Sequence, residues 1–514
     1  MTPAGSQAVA LGQPSEMSRR RRRVLIIASI GVFLATLNSS IVAVALPSIS
    51  SDLRLSFSSA LWVQVSYLVV ATVLLVPVGR WGEKHGLFLT YWVGNLLFGI
   101  FTLAVALAWN GSFLIFARVL QACAGALLVT TPAAIVASVF PPAERGRALG
   151  LNMLGSTLGQ TFGPPLGGLI VGRMGWPWIF FIQVPVAFLT VIVGWDMLGA
   201  ERRDRAAARM GAAQAASGPS AAPVATAVRA TRIDLRGAVL LGATLAALFV
   251  PLIFSPLWGW HSARTLVPLA SVAILATAFV LIENRTADPI LDLGLFRRSR
   301  VFAAANTASL LYMGASYGVT IFTAVFLEVV QGRSAQVTGL ILLIQPAVMT
   351  VITPFAGRLS ARLGTQGLSC AGMLVTAVGT VQLALFSVSS PTWQVLAALG
   401  TLGVGLAIFS TPNFSAIMGS VDRSQLGVAS GMFTASRFCG MGVSIAILGA
   451  IAASNLGPDG GRVILLGARA SVTNGQAFAS GYREAMFVGT AIAVIGSLVS
   501  LVRERASAQT AQAE

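Results

Sequence analysis

GSTLGQTFGPPLGG, from Gly155 to Gly168, is the stretch on which the fold turns. Glycines stand at 155, 159, 163 and 167, each four residues after the last, with Gly168 next and Pro164 and Pro165 between them. Apolar, helix-like sequence flanks the stretch on both sides. In water, glycine and proline weaken a helix interior by about 1 and 3 kcal/mol relative to alanine. Four glycines on one helix face become useful inside a bilayer. There lipid gives helices no hydrophobic reason to associate, and small residues let their backbones approach.

The composition points to the same setting. Of 514 residues, 55% are hydrophobic and only 10% are charged, with a mean hydropathy of +0.81. Soluble domains carry about 25% charged residues. Apolar runs can be placed at 24–46, 57–78, 87–108, 112–138, 148–171, 178–198, 237–256, 264–282, 302–327, 337–356, 366–387, 393–417, 426–453 and 483–502. Each is near the ~20 residues that a bilayer-spanning helix needs. The chain reads as an all-α polytopic membrane protein of fourteen spans.

The net charge of +17 could suggest nucleic acid, but its distribution argues for membrane topology instead. With the N-terminus inside, the inner segments hold 25 of the 34 Lys and Arg residues and the outer segments hold seven. Arg118 and Arg437 lie within spans. This bias places both termini in the cytoplasm of a bacterial plasma membrane. Cys123, Cys370 and Cys439 lie in apolar runs, and His85 and His261 have no neighbour at metal-binding spacing. They read as ordinary residues, so no metal, disulfide or cofactor is expected.

Three apparent motifs do not survive their context. SRRRRRVL at 18–25 with AVA at 43–45 resembles a cleavable leader, yet its apolar run is too long and thirteen spans follow, so it reads as an uncleaved first span. GASYG at 314–318 fits G-x-S-x-G but lies mid-span, with no histidine in any span, and reads as small-residue helix packing. A phosphate loop requires Gly-Lys, but the single lysine, Lys84, follows Glu83. The chain is not expected to be an enzyme or to hydrolyse ATP by that route.

The expected organisation is a basic tail at 1–23, a six-helix bundle at 24–198 and an Ala/Arg-rich linker at 199–236. Two extra transmembrane helices with a connecting segment follow at 237–300, then a second six-helix bundle at 301–502 and a tail at 503–514. The linker reads as mobile, with an Ala-rich surface helix as the other reading. GRWGEKHG at 79–86 and GRLSARLG at 357–364 both read G-R-x-x-x-basic-x-G after the second span of their half. Internal symmetry of this kind belongs to secondary transporters, whose substrate sites lie near the midplane between repeats.

Taken together and in order, several stretches resemble one family. They are LNSSIVAVALP at 37–47, GRWGEKHG, RVLQACAG at 118–125, GPPLGG at 163–168, GWPWIFFIQVP at 175–185 and GVASGMFTASRFCGMGVSIAILG at 427–449. The resemblance is to the major facilitator superfamily in its 14-span drug:proton antiporter branch, and it runs from about Leu37 to Ala453. It implies two six-helix bundles plus two central extra helices, alternating access and proton-driven export of a hydrophobic small molecule, with a monomer as the working unit. The resemblance also makes the antiporter motif (Gly155, Gly159, Gly163, Pro164, Pro165, Gly167 and Gly168) a moving contact of span 5 against the other half.

Polar groups inside a membrane are costly and point to function. Arg118 sits mid-span with Gln121 one turn on, and the resemblance ties that arginine to substrate or proton movement. Arg437, Trp62 and Tyr67 join them as candidate pathway residues, plain packing being the other reading for Trp62 and Tyr67. The resemblance also implies a cytoplasmic gate at Gly79, Arg80, Glu83, Lys84 and Gly86, with a second copy at Gly357, Arg358, Arg362 and Gly364. Leu87 and Phe88 replace basic residues there, and Ala361 replaces an acid. Asn38 stands where the branch usually has aspartate, and an amide neither binds a proton nor attracts a cation at neutral pH. Neutral or anionic amphipathic substrates follow from this, and Glu328 becomes the candidate proton carrier, a solvated helix-end acid being its other reading. An uncoupled facilitator or lipid carrier of the same fold is the alternative. A scaffold or receptor without transport fits less well.

Overall fold

The computed structural model describes residues 14–216, 234–286, 289, 291, 293–421, 425–456 and 472–502. The first half comprises α1 (Pro14–Asp52), α2 (Phe57–His85), α3 (Leu87–Ala106), α4 (Gly111–Val139), α5 (Pro142–Met174), the short α6 (Trp178–Phe181) and α7 (Gln183–Ala216). The extra pair is α8 (Leu235–Trp258) and α9 (Ala263–Glu283), followed by a short α10 (Leu293–Arg298). The second half holds α11 (Arg300–Val325), which runs into a π-helical turn at Phe326–Val330, then α12 (Ala335–Leu342) and α13 (Ile344–Leu363). It ends with α14 (Thr365–Ala384), α15 (Thr392–Gly419), α16 (Leu426–Ser454) and α17 (Val472–Val499).

Short polar turns separate the helices, and their residues satisfy the first free backbone donors of the helix that follows. Ser56, Asn110, Asp234, Ser262, Ser299 and Ser334 each accept from a backbone N–H three residues on. Among the described residues, thirteen helices are long and apolar enough to cross a membrane. α5 is not among them although it is 33 residues long, because its glycines, prolines and Gln160 lower its hydropathy. Counted with α5, the order is that of fourteen spans, α12 and α13 together forming one of them.

The two halves repeat one packing scheme. α1 lies along α5 as α11 lies along α16, and α3 packs on α4 as α14 packs on α15. α8 rests on both α2 and α16, one helix from each half, and α9 packs on α8 at the periphery. The repeated loop motif shows in the backbone as well. Gly86 (φ 125°) terminates α2 and Gly364 (φ 83°) terminates α13, both in a region that glycine occupies without a Cβ penalty.

Two boundaries differ from those expected. The first part of the linker is not loose: α7 continues without a break to Ala216, since alanine and arginine are strong helix formers even outside the membrane. Residues 217–233 lie outside the described residues, as do 1–13 and 503–514. Arg19 to Arg23, expected in a tail, belong to α1, which begins at Pro14.

Candidate functional site

Arg118 is the largest fully buried side chain, at 0% exposure on α4. Its Nε donates to the Val63 carbonyl at 3.2 Å, and its Nη1 donates to Gln121 Oε1 at 2.6 Å and Asn38 Oδ1 at 3.3 Å. A longer contact of 3.5 Å joins Nη2 to Gln64 Oε1. The guanidinium also lies over the Tyr67 ring, 4.5 Å from its centroid. Each of these partners is neutral. The buried charge is spread over amide and carbonyl oxygens and one π face, which is chemistry suited to an arginine's planar fork.

The network continues towards the other half. Gln121 Nε2 donates to Thr102 Oγ1 at 2.8 Å and weakly to Asn38 Oδ1 at 3.4 Å. Gln64 Nε2 donates to the Ser39 carbonyl at 3.0 Å and to the Tyr317 hydroxyl at 2.8 Å. Tyr317, on α11, is hydrogen-bonded to Ser39 Oγ at 2.9 Å. A chain of contacts therefore runs from Arg118, deep in the first half, to a tyrosine of the second.

That tyrosine lines a cavity of about 90 Å³ between the halves. α1 contributes Ser40 and Ala43, and α5 contributes Gln160, Thr161 and Pro164. Across from them stand Tyr312, Ser316 and Thr320 of α11, with Leu342, Gln345 and Pro346 of the α12–α13 span. No charged side chain lines it among the described residues.

The glycine motif divides between two partners. Gly155, Gly159, Gly163 and Gly167 face α1 of their own half, where an added Cβ would run into Ser29, Phe33, Ser40 and Ile41. Expected as the moving contact against the other half, this face is instead the seam that joins α5 to α1. The contact between halves belongs to Gly168, where an added Cβ would meet the Ala335 carbonyl and lie 3.0 Å from Gly339 Cα. Gly339 in turn faces the Pro164 carbonyl. This contact lies about one turn beyond the lining residues Pro164 and Leu342, on the side remote from the two loop motifs.

The remaining candidates spread out. Tyr67 is buried beneath Arg118, while Trp62 is half-buried and packs against the main core. Asn38 is fully buried, accepts through Oδ1 and leaves Nδ2 without a hydrogen-bond partner. Arg437 sits mid-helix in α16, 5.6 Å from the Phe433 ring centroid, with its Nε buried and without a hydrogen bond. It lies outside the Arg118 network. Glu328 is not a solvated end-of-helix acid: it lies in the π-helical turn, half-buried, with Oε1 enclosed and without a hydrogen-bond donor.

At the loop motifs, Arg80 donates to the Pro289 carbonyl, in the segment between the extra helices and the second half. Lys84 and Arg358 are exposed, and the side chains of Glu83 and Arg362 lie outside the described ones. Gly79 and Gly357 have open space or ordinary contact at their Cα. Glu201, on the helical extension of α7, accepts from Leu89 N at 3.1 Å and crowds Gly86. A carboxylate from the linker thus holds the first turn of α3, where Leu87 and Phe88 supply no basic partner.

Sequence reading did not find Gln64, Thr102, Tyr317, Thr161, Gln345 or Glu201. Gln64 carried a usable signal, being a mid-span amide like Gln121. Tyr317 sits within GASYG, read as packing alone. Gly318 does pack there, donating its N–H to Ser444 Oγ at 2.8 Å, but the neighbouring tyrosine carries the cross-half contact.

Comparison with known proteins agrees with this architecture. The Major Facilitator Superfamily profile matches residues 28–445 and 308–512. The multidrug resistance protein Stp of Mycobacterium tuberculosis is 30% identical over 439 residues, covering 85% of this chain and 77% of that protein. The tetracenomycin C resistance and export protein of Streptomyces glaucescens is 30% identical over 441 residues, covering 84% and 76%. Among solved structures, an inward-facing bacterial homologue of the human lysosomal transporter Spinster superposes with a TM-score of 0.63 at 15% identity, covering 95% of this chain and 97% of that one. A D-xylose–proton symporter gives 0.62 at 14% identity, covering 93% and 97%. These likenesses are to transporters, not to enzymes. The chain belongs to the major facilitator superfamily, with multidrug and antibiotic-resistance transporters among its relatives.

Proposed function

We propose that the protein exports uncharged or anionic amphipathic small molecules across a bacterial plasma membrane by alternating access, as a monomer with both termini in the cytoplasm. The observation that carries this reading is the cavity between the halves, bordered at one end by the Gly168–Gly339 contact and reached from Arg118 through Gln64 and Tyr317. By the charge bias that end faces outward, so the cavity takes its substrate from the inner side. The direction of transport is supported by relatives named for resistance and export.

Proton antiport is the proposed drive, and Glu328 the proposed carrier. Asn38 and the other partners of Arg118 provide no carboxylate. Glu328 borders the outward end of α11 with an enclosed, unpartnered oxygen, and a local π turn often marks a functional position. The second reading, an uncoupled facilitator, draws on the same missing acid at position 38.

Reconstituted vesicles with an imposed pH gradient separate the two, using tetracenomycin C and riboflavin, the compounds for which two relatives are named. Gradient-driven flux that Glu328→Gln abolishes, with downhill exchange preserved, is the expected result. Flux indifferent to the gradient establishes the facilitator. Gradient-driven flux that survives Glu328→Gln keeps antiport and removes Glu328 from it.

A further inference from the structure

The wall of the cavity formed by α5 carries a polar oxygen that the protein leaves without a partner. Thr161 is about nine-tenths buried, at 9% exposure, and its Oγ1 has no hydrogen-bond partner. Pro164 and Pro165 have no N–H, so the carbonyls of Gln160 and Thr161 lose the helical donors that stand four residues on. This turn, which lines the cavity through Gln160, Thr161 and Pro164, therefore carries a hydroxyl without a partner beside two carbonyls that have no i+4 donor. Buried polar atoms are normally satisfied, and a persistent exception calls for a partner from elsewhere.

The facing wall offers the complement. Gln345 is 8% exposed, and its Oε1 accepts from Thr320 Oγ1 at 3.4 Å. That contact orients the carboxamide and leaves its NH2 group, two donors, without an acceptor in the protein among the described residues. Between the walls the lining mixes apolar side chains with the hydroxyls of Ser40, Ser316 and Tyr317, and with Tyr312, which stacks on Phe409 at 4.6 Å. Arg118 is enclosed behind Tyr317 and engaged with its own acceptors, and Arg437, which interacts electrostatically with Tyr312, is not itself part of the lining. A ligand with a fixed charge would lose hydration here and find no charged side chain in the lining among the described residues.

Resting on the transporter reading of this cavity, we infer that it selects an uncharged planar amphipath with a hydroxyl or N–H on the edge facing α5 and a carbonyl on the edge facing Gln345. Thr161 takes the donor edge, and the Gln345 amide takes the carbonyl edge. Such a molecule bridges the two halves.

The test measures binding to the full-length protein in lipid nanodiscs through quenching of its tryptophan fluorescence, with empty nanodiscs as blanks. Four related probes differ only in their edges: 2-aminoanthraquinone, 9,10-anthraquinone, 2-aminoanthracene and anthraquinone-2-sulfonate. One net hydrogen bond corresponds to roughly threefold to tenfold in affinity. 2-Aminoanthraquinone should bind that much more tightly than either single-function analogue, and the sulfonate more weakly than anthraquinone. Gln345→Met should erase the advantage of the carbonyls and keep that of the amine. Thr161→Val should do the reverse, and Thr161→Ser should retain both. Equal affinities for the four probes in the wild-type protein overturn the inference even if no variant folds, as do Gln345→Met and Thr161→Val variants that keep wild-type preferences. Export of any compound without these preferences removes the inference and leaves the exporter. The preferences without export of any compound keep the site and remove the exporter.

Discussion

Gly168→Ala and Gly159→Ala insert the same methyl group into the same helix, one on each seam, and should have different consequences. At Gly159 the new carbon would lie 2.6 Å from the Phe33 carbonyl oxygen and 2.9 Å from Leu37 N, both backbone atoms of α1. At Gly168 it would run into the Ala335 carbonyl and lie 3.0 Å from Gly339 Cα, in the opposite half. Neither seam can yield by moving a flexible side chain, so the helices must separate, at a cost of about 1–3 kcal/mol for overpacking of this kind. The α1–α5 seam lies within one half and persists in any rigid-body rocking, so Gly159→Ala should lower thermal stability without favouring either orientation. In the proposed alternating access, the Gly168 contact exists only while this end is closed. Gly168→Ala should leave each half intact and shift the population towards opening at that end by roughly 5–150-fold. Spin labels at Trp109 and Trp393, exposed at that end of the two halves (69% and 66%), report the opening by pulsed electron resonance on a cysteine-free background. A Gly168→Ala protein with the wild-type distance distribution, alongside a Gly159→Ala protein that opens, would refute the division of the motif between the two seams.

Arg118→Lys should reduce efflux at least tenfold at normal protein levels, because one ammonium cannot reach Val63, Gln121, Asn38 and Gln64 together. Wild-type resistance in cells expressing the lysine variant would count against the network. Tyr317→Phe keeps the ring but loses the contacts with Gln64 and Ser39. Each lost bond contributes about 0.5–1.5 kcal/mol, so transport rates should change roughly threefold to tenfold with little change in melting temperature. Glu201→Ala frees Leu89 N at the start of α3 and should cost about 1 kcal/mol, as loss of other helix caps does, read as a lower melting temperature.

The fold was largely legible because membrane sequences state it twice, in the length of their apolar runs and in the distribution of their arginines. The repeat at Gly79–Gly86 and Gly357–Gly364 added a third sign, and it reappears as matching positive-φ glycines closing α2 and α13. Arg118 and Gln121 were legible for a different reason: a charge and an amide inside a span have no inexpensive alternative to each other and to neighbouring amides. Hydroxyls hide. Thr161 and Tyr317 occur in spans full of Ser and Thr that bond to their own helix, as Thr72, Thr131 and Ser316 do, and only coordinates show which ones do not. The extent of α7 was obscured by composition, since an Ala/Arg-rich segment suits a loose linker and a helix equally.

The antiporter motif shows most clearly what spacing does and does not encode. A four-residue period keeps residues on one slowly drifting helix face, so Gly155, Gly159, Gly163 and Gly167 had to share one neighbour. The period is silent about which neighbour, and α1 and the other half were equally admissible. The residue that breaks the period is the informative one. Gly168 stands about 100° around the helix from Gly167, on the side of Thr161 and Pro164, and that side meets the cavity and the second half. The paired prolines belong to this second face through the donors they remove beside Gln160 and Thr161. Small size on the first face holds the half together. On the second face, small size at Gly168 lets the halves touch, while the missing donors leave the cavity a wall with hydrogen-bonding capacity unspent. One stretch of fourteen residues thus meets α1, the second half and the cavity, each by a different property of the same helix.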